Sequence, residues 1–130
     1  MAGATVTMTA KKQKTLQEIH AEIHYIVDAE LVSKREQTVN DVTIWILAYE
    51  KFFFRNKSYT GAVVVLTEHA GEQTACVIAS GGGSGMVNHS LGANRHFAKE
   101  CVEKLKACGF TVVKSDLDTK GKGFVERFLK

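Results

Sequence analysis

Two stretches of the sequence carry residue types whose spacing could do chemistry. The first is His20-Ala21-Glu22-Ile23-His24. Histidines at i and i+4 lie one above the other on a helix and can share a divalent metal. A zinc protease of the HExxH kind needs its glutamate directly after the first histidine, as general base. Here the glutamate comes one place late and points away from the pair, so the protease reading drops out. A plain metal site at His20 and His24 would need one or two further ligands, drawn from His69, His89, His96 or the cysteines. The preferred reading is structural: His20 flanks a buried stripe with its ring nitrogens satisfied, and His24 sits at the edge of that stripe.

The second stretch is Gly81-Gly82-Gly83-Ser84-Gly85, set between an apolar run and a segment of helical pattern. A phosphate loop of the Walker type requires GxxxxGK[ST], but Met86-Val87 follows here and the lysine is missing. A dinucleotide fingerprint requires GxGxxG inside a parallel βαβ unit, whereas Gly81, Gly83 and Gly85 give GxGxG among strands that read as antiparallel. Two readings remain. In the preferred one the glycines let the chain bend or pack closely against a helix. In the other, backbone N–H groups of Gly81, Gly82, Gly83 and Ser84 form an anion nest, with Asn88, Ser90 and Arg95 as side-chain contacts.

Nucleophilic chemistry has weaker support. Cys76 sits in a strand pattern, and Cys101 and Cys108 lie on the apolar stripe of a helix, where a thiol is usually an inert small hydrophobe. Trp45, Tyr49, Phe52, Phe53 and Phe54 lie beside Lys51, Arg55 and Lys57, an interleaving that could stack nucleic-acid bases. No RNA-binding signature accompanies them, and a net charge of +3 gives polyanions only mild attraction, so core packing is the better reading.

The elements that must position these residues follow from periodicity. Residues 3–9 alternate Ala4, Val6 and Met8 with threonines, the period of a half-buried strand. From Thr15 to Ser33 the spacing of Leu16, Ile19, Ile23, Ile26 and Val27 predicts one amphipathic helix, opened by a Thr15/Glu18 capping box. Residues 42–54, rich in β-branched and aromatic side chains, read as a strand covered on both faces or partly covered by a partner chain. Residues 61–67 and 73–80 read as two further strands joined by a turn at Gly71, which makes an antiparallel meander. GMVNHS, residues 85–90, suggests a short strand, and the following helix takes Asn94 as N-cap and Gly109 as its left-handed stop. A short strand at 110–113, a KGKG turn and a last helical turn with Phe124, Val125, Phe128 and Leu129 complete the chain.

The sum is one α+β domain: an antiparallel sheet of four to six strands with two main helices packed on one face. At 130 residues without proline or a linker-like stretch, no internal boundary is expected. Three cysteines outside any CxxC arrangement, with no signal-like or spanning apolar segment, point to a reducing, cytoplasmic setting away from membranes.

Several short motifs resemble a small family of bacterial proteins known only as a domain of unknown function. They are Tyr49-Glu50-Lys51-Phe52 at the close of one strand, Asn56 in the connection, and the strand Val63-Val64-Val65-Leu66-Thr67. Ala79-Ser80-Gly81-Gly82-Gly83-Ser84, Gly92 and the helix holding Phe97 continue the likeness. The resemblance implies a compact α+β domain and brings no activity, cofactor or catalytic residue. The basic tail after Gly109 lies outside it. The expected function is therefore a non-enzymatic domain that binds a partner or small ligand, as a homodimer through a sheet or helix face. The alternative is an enzyme or sensor holding an anion at the Gly81 to Gly85 loop, and the third reading is metal at His20 and His24. No cofactor is expected, and nucleic acid is disfavoured as a partner.

Overall fold

The computed structural model describes residues 4–26, 28–53, 58–81 and 87–117, with the backbone alone for Ser58 and residues 87–93. Its elements in chain order are β1 (Ala4–Lys11), α1 (Leu16–His24), β2 (Ala29–Val39), β3 (Val42–Phe53), β4 (Ser58–His69), β5 (Glu72–Ser80), α2 (Val87–Ala107) and β6 (Thr111–Ser115). The six strands form one antiparallel sheet in the order β2-β3-β4-β5-β1-β6. The fold is α+β, as the sequence pattern indicates, and the meander runs through four strands rather than three.

Register explains the core. Leu47, Val64, Val77 and Val6 stand in one row across β3, β4, β5 and β1, and Tyr49, Ala62, Ala79 and Ala4 in the next. All eight are buried and face the same side, because side chains alternate along each strand. α2 lies over β4, β5 and β1 on this side, and α1 packs beside it. The buried stripe of α2 comprises Asn94, Phe97, Ala98, Cys101, Val102 and Leu105, at helical spacing, and Cys108 just past its end continues it. Fully burying Phe97 and Leu105 stabilises the layer by roughly 2–3 kcal/mol each.

Local chemistry sets the boundaries. The Thr15 hydroxyl accepts from the Glu18 N–H at 3.1 Å and the Glu18 carboxylate accepts from the Thr15 N–H at 2.8 Å, which is the anticipated capping box. At the far end of α2, Gly109 has φ +96°. Its N–H donates to Lys106 O and the Phe110 N–H to Leu105 O, closing a Schellman motif. A side chain at Gly109 would also meet Gln13 at 2.8 Å. Ala70 and Gly71 both take positive φ, as do Asn40 and Asp41, so β4–β5 and β2–β3 are tight two-residue hairpins.

Three sequence expectations need correction. The helix from Thr15 ends at His24. The chain then turns, with the Ile26 N–H on Ile23 O and Asp28 at φ +64°, and Ala29 begins β2. β2 is almost wholly exposed and has a bulge between Leu31 and Ser33, so it carries no apolar alternation that would mark a strand. Secondly, residues 87–90 are helical rather than extended. Finally, Asn94 is no cap: it lies in the interior of α2, buried, one turn ahead of Phe97 and Ala98. Asparagine favours caps by local hydrogen bonding, and tertiary packing overrides that preference here. The KGKG turn and the last helical turn fall outside the described residues.

Candidate functional site

Both helices cover the same sheet face, and that face is polar at its two ends. At the hairpin end Gln73 is fully buried, and its Nε2 donates to Lys14 O at 2.8 Å and to Glu68 Oε1 at 2.9 Å. Lys12 Nζ closes the group on Glu68 Oε2 at 2.8 Å. The hydrogen bonds from Lys12 and then Gln73 hold the Glu68 carboxyl below its ordinary value of 4.5.

At the opposite end Lys51 of β3 points inward, two places beyond Tyr49 and directly opposite Thr60 of β4. It is 8 % exposed, with Nζ 2.6 Å from Glu100 Oε1 of α2, 5.3 Å from the Phe53 ring and 6.0 Å from the Phe97 ring. Glu100 also faces His96 across 3.8 Å, and the His96 ring meets Phe53 edge to face at 5.7 Å. Tyr49 and Thr60, at the neighbouring inward positions, have buried hydroxyls without a hydrogen-bond partner. Burial, and secondarily the neighbouring Cys101, push the Tyr49 phenol up. Burial and then Glu100 push the Cys101 thiol to about 12, so it stays protonated and unreactive at neutral pH.

The residues expected to form an anion site divide. Gly81 is the step after β5, with φ +95°, and continues the row of Lys51 and Thr60, because Gly61 pairs with Ser80 and Glu50 with Gly61. Gly82, Gly83 and Ser84 lie outside the described residues. Asn88 and Ser90 belong to the start of α2, where the backbone alone is described. Arg95 is part-buried further along α2, on an open groove of about 540 Å³ shared with Lys99, Val102, Lys106, Val112 and Leu117. The structure thus brings Gly81 to Lys51 and Thr60; in the sequence Lys51 stands out only as a basic neighbour of the aromatics, and Thr60 is not singled out. One signal was available: a lysine at the inward position of the alternation Leu47, Tyr49, Lys51.

His20 and His24 do stack on α1, with ring centroids 6.0 Å apart. His20 is wedged against Trp45 at 6.2 Å, and Lys34 Nζ lies 4.4 Å over the other ring. Contrary to the expectation of satisfied nitrogens, both ring nitrogens of His20 are buried without a hydrogen-bond partner. Burial, then Lys34 and His24, hold its imidazole below the ordinary 6.5, against the pull of Glu36. Among the described residues no group of three or more His, Cys, Asp or Glu is placed to hold a metal.

The other sheet face carries no helix among the described residues. Ile44, Ile46 and Ala48 of β3 stand beside Val65 and Val63 of β4 and Cys76 and Ile78 of β5. Ile46 is 36 % and Ile78 41 % exposed. Cys101 and Cys108 are buried as expected, whereas Cys76 is half-buried on this open face.

Among the described residues the frame is thus a six-stranded antiparallel sheet with two helices on one side. The chain belongs to DUF6054, a family of unknown function, which it matches over residues 1–109. The match ends where the basic tail begins. No curated protein matches the chain. No helix is long and apolar enough to cross a membrane among the described residues.

Proposed function

We propose that the protein is a non-enzymatic binding domain that pairs with a second copy of itself through the open face of its sheet. The observation that carries this reading is the apolar centre of that face, Ile44, Ile46, Val63, Val65 and Ile78, on three central strands. A contiguous apolar patch of this kind marks an interaction surface. The centre is uncharged, while Arg35, Glu50, Glu72 and Lys11 stand at its margins. A neutral patch with both charge signs at its rim can face a copy of itself without like-charge repulsion, as a two-fold interface requires. Five strands about 4.8 Å apart, over about seven residues at about 3.4 Å each, give on the order of 600 Å² in projection. That is commensurate with the roughly 800 Å² of accessible surface per partner in a stable interface. Two such faces would pack as aligned sheets about 10 Å apart.

The test is light scattering across a concentration series, on the wild type and on Ile46→Lys/Ile78→Lys. The expected result is a dimeric wild type and a monomeric, folded variant. A wild type that stays monomeric at high concentration, or a variant that stays dimeric, overturns the reading. The rival occupant of the face is the stretch 124–129 of the same chain, through Phe124, Val125, Phe128 and Leu129. A monomer that dimerises only when the chain is cut after Leu117 would give the face to that stretch.

A further inference from the structure

The polar end of the helix-covered face contains hydroxyls that no structural role accounts for. Tyr49 is 2 % and Thr60 0 % exposed, and neither hydroxyl oxygen has a hydrogen-bond partner. A buried hydroxyl left unpaired costs about 1–3 kcal/mol, whereas phenylalanine and valine fill nearly the same shapes without that penalty. Lys51, opposite Thr60 and two places from Tyr49 on the same strand, adds an ammonium that donates to Glu100. An ammonium has three N–H donors, so it can serve a second acceptor.

We propose that Lys51, Tyr49 and Thr60 form a binding site for a small oxyanion, a carboxylate or phosphate group. Its ligand accepts from the two hydroxyls and from Lys51 Nζ. The chemistry of the set selects this class. Three donors stand at neighbouring inward positions of two adjacent strands, and the ammonium among them disfavours a metal ion. Phe53 and Phe97 wall the ammonium, which lowers the local dielectric and strengthens each charge-assisted bond. Glu100 keeps the Lys51 charge compensated while the site is empty. Gly81 continues the Lys51–Thr60 row and adds no side chain to it.

The site faces away from the open sheet face, so the proposal stands or falls apart from dimerisation. The experiment measures melting temperature and calorimetric affinity with sodium phosphate and with sodium acetate, against chloride at matched ionic strength. At least one of the two anions should raise the melting temperature of the wild type in a saturable way, and equally so in Ile46→Lys/Ile78→Lys. Phosphate alone acting identifies a phosphate group, and acetate alone a carboxylate. Thr60→Val and Tyr49→Phe should each melt no lower than wild type without anion and bind it at least tenfold more weakly. Lys51→Met should not respond. A wild type indifferent to both anions overturns the proposal, and so does an affinity that survives both Thr60→Val and Tyr49→Phe.

Discussion

The two ends of the covered sheet face solve the same problem differently. Each places polar side chains in positions that the strand alternation directs into the core. At the hairpin end, Gln73 uses its buried amide N–H groups to join the β1–α1 connection to the β4–β5 hairpin, and Lys12 and Glu68 complete the link, leaving only Gln73 Oε1 unpaired in that group. At the far end, Lys51 and Glu100 join β3 to α2, but Tyr49 and Thr60 bring hydroxyls that join nothing. Buried polarity that bonds distant segments together is structural. Where two unpaired hydroxyls stand beside a buried ammonium, as at the far end, a ligand is the proposed partner, since packing alone favours their apolar isosteres.

The largest effect should come from separating the far-end ion pair. Glu100→Ala leaves the Lys51 ammonium buried without its carboxylate. The loss should be about 2–3 kcal/mol, below the range for a fully buried pair because the Glu100 side chain is 28 % exposed. Chemical denaturation measures it, and Lys51→Met in the same background should recover most of the loss. If Glu100→Ala is neutral, the pair does not join β3 to α2.

Gln73→Leu should come next, at about 1–2 kcal/mol, because it removes one bond to a backbone carbonyl and one to a carboxylate. Its direction is opposite to that of Thr60→Val and Tyr49→Phe. Stability at this end also depends on acid. The folded Glu68 carboxyl lies below its ordinary 4.5, so its contribution is present above about pH 4.5 and is lost as pH falls through the folded value. Glu68→Gln should flatten the fall in stability below pH 4.5 while lowering stability at pH 7.

The smallest effect belongs to His20. Its imidazole is harder to protonate in the fold than in the unfolded chain, so the unfolded state binds the proton first. Stability is then undiminished above about pH 6.5 and declines as pH falls below it. In His20→Leu, melting curves between pH 7 and pH 5 should lose that slope, and an unchanged slope would place its source elsewhere. Zinc binding at His20 and His24 would show in the same experiment as a stabilisation abolished by chelator and absent from His20→Leu.

Much of the fold was legible because its signals are local. Alternation in β4 and β5, the Thr15/Glu18 box, the Ala70-Gly71 hairpin and the Gly109 stop each act within a few residues. β2 was not legible, since its exposed side chains alternate in nothing and Leu31 and Val32 continue the apolar helical count. The Asn40-Asp41 turn was the one local sign of the hairpin that ends it. The first turns of α2 were missed for a related reason: Asn94, a residue type that favours caps, occupies a buried turn.

The sequence by itself determined the α+β class, the meander and the two helical stripes, because side-chain period and turn chemistry are properties of neighbouring residues. Tertiary structure alone decided what meets at the far end of the sheet. Lys51 and Thr60 face each other through the β3–β4 register, Tyr49 joins them from the next row, and Glu100 reaches Lys51 from a helix 49 residues along the chain. No local pattern encodes that meeting, since strand register and helix placement are fixed by burial of the whole apolar face.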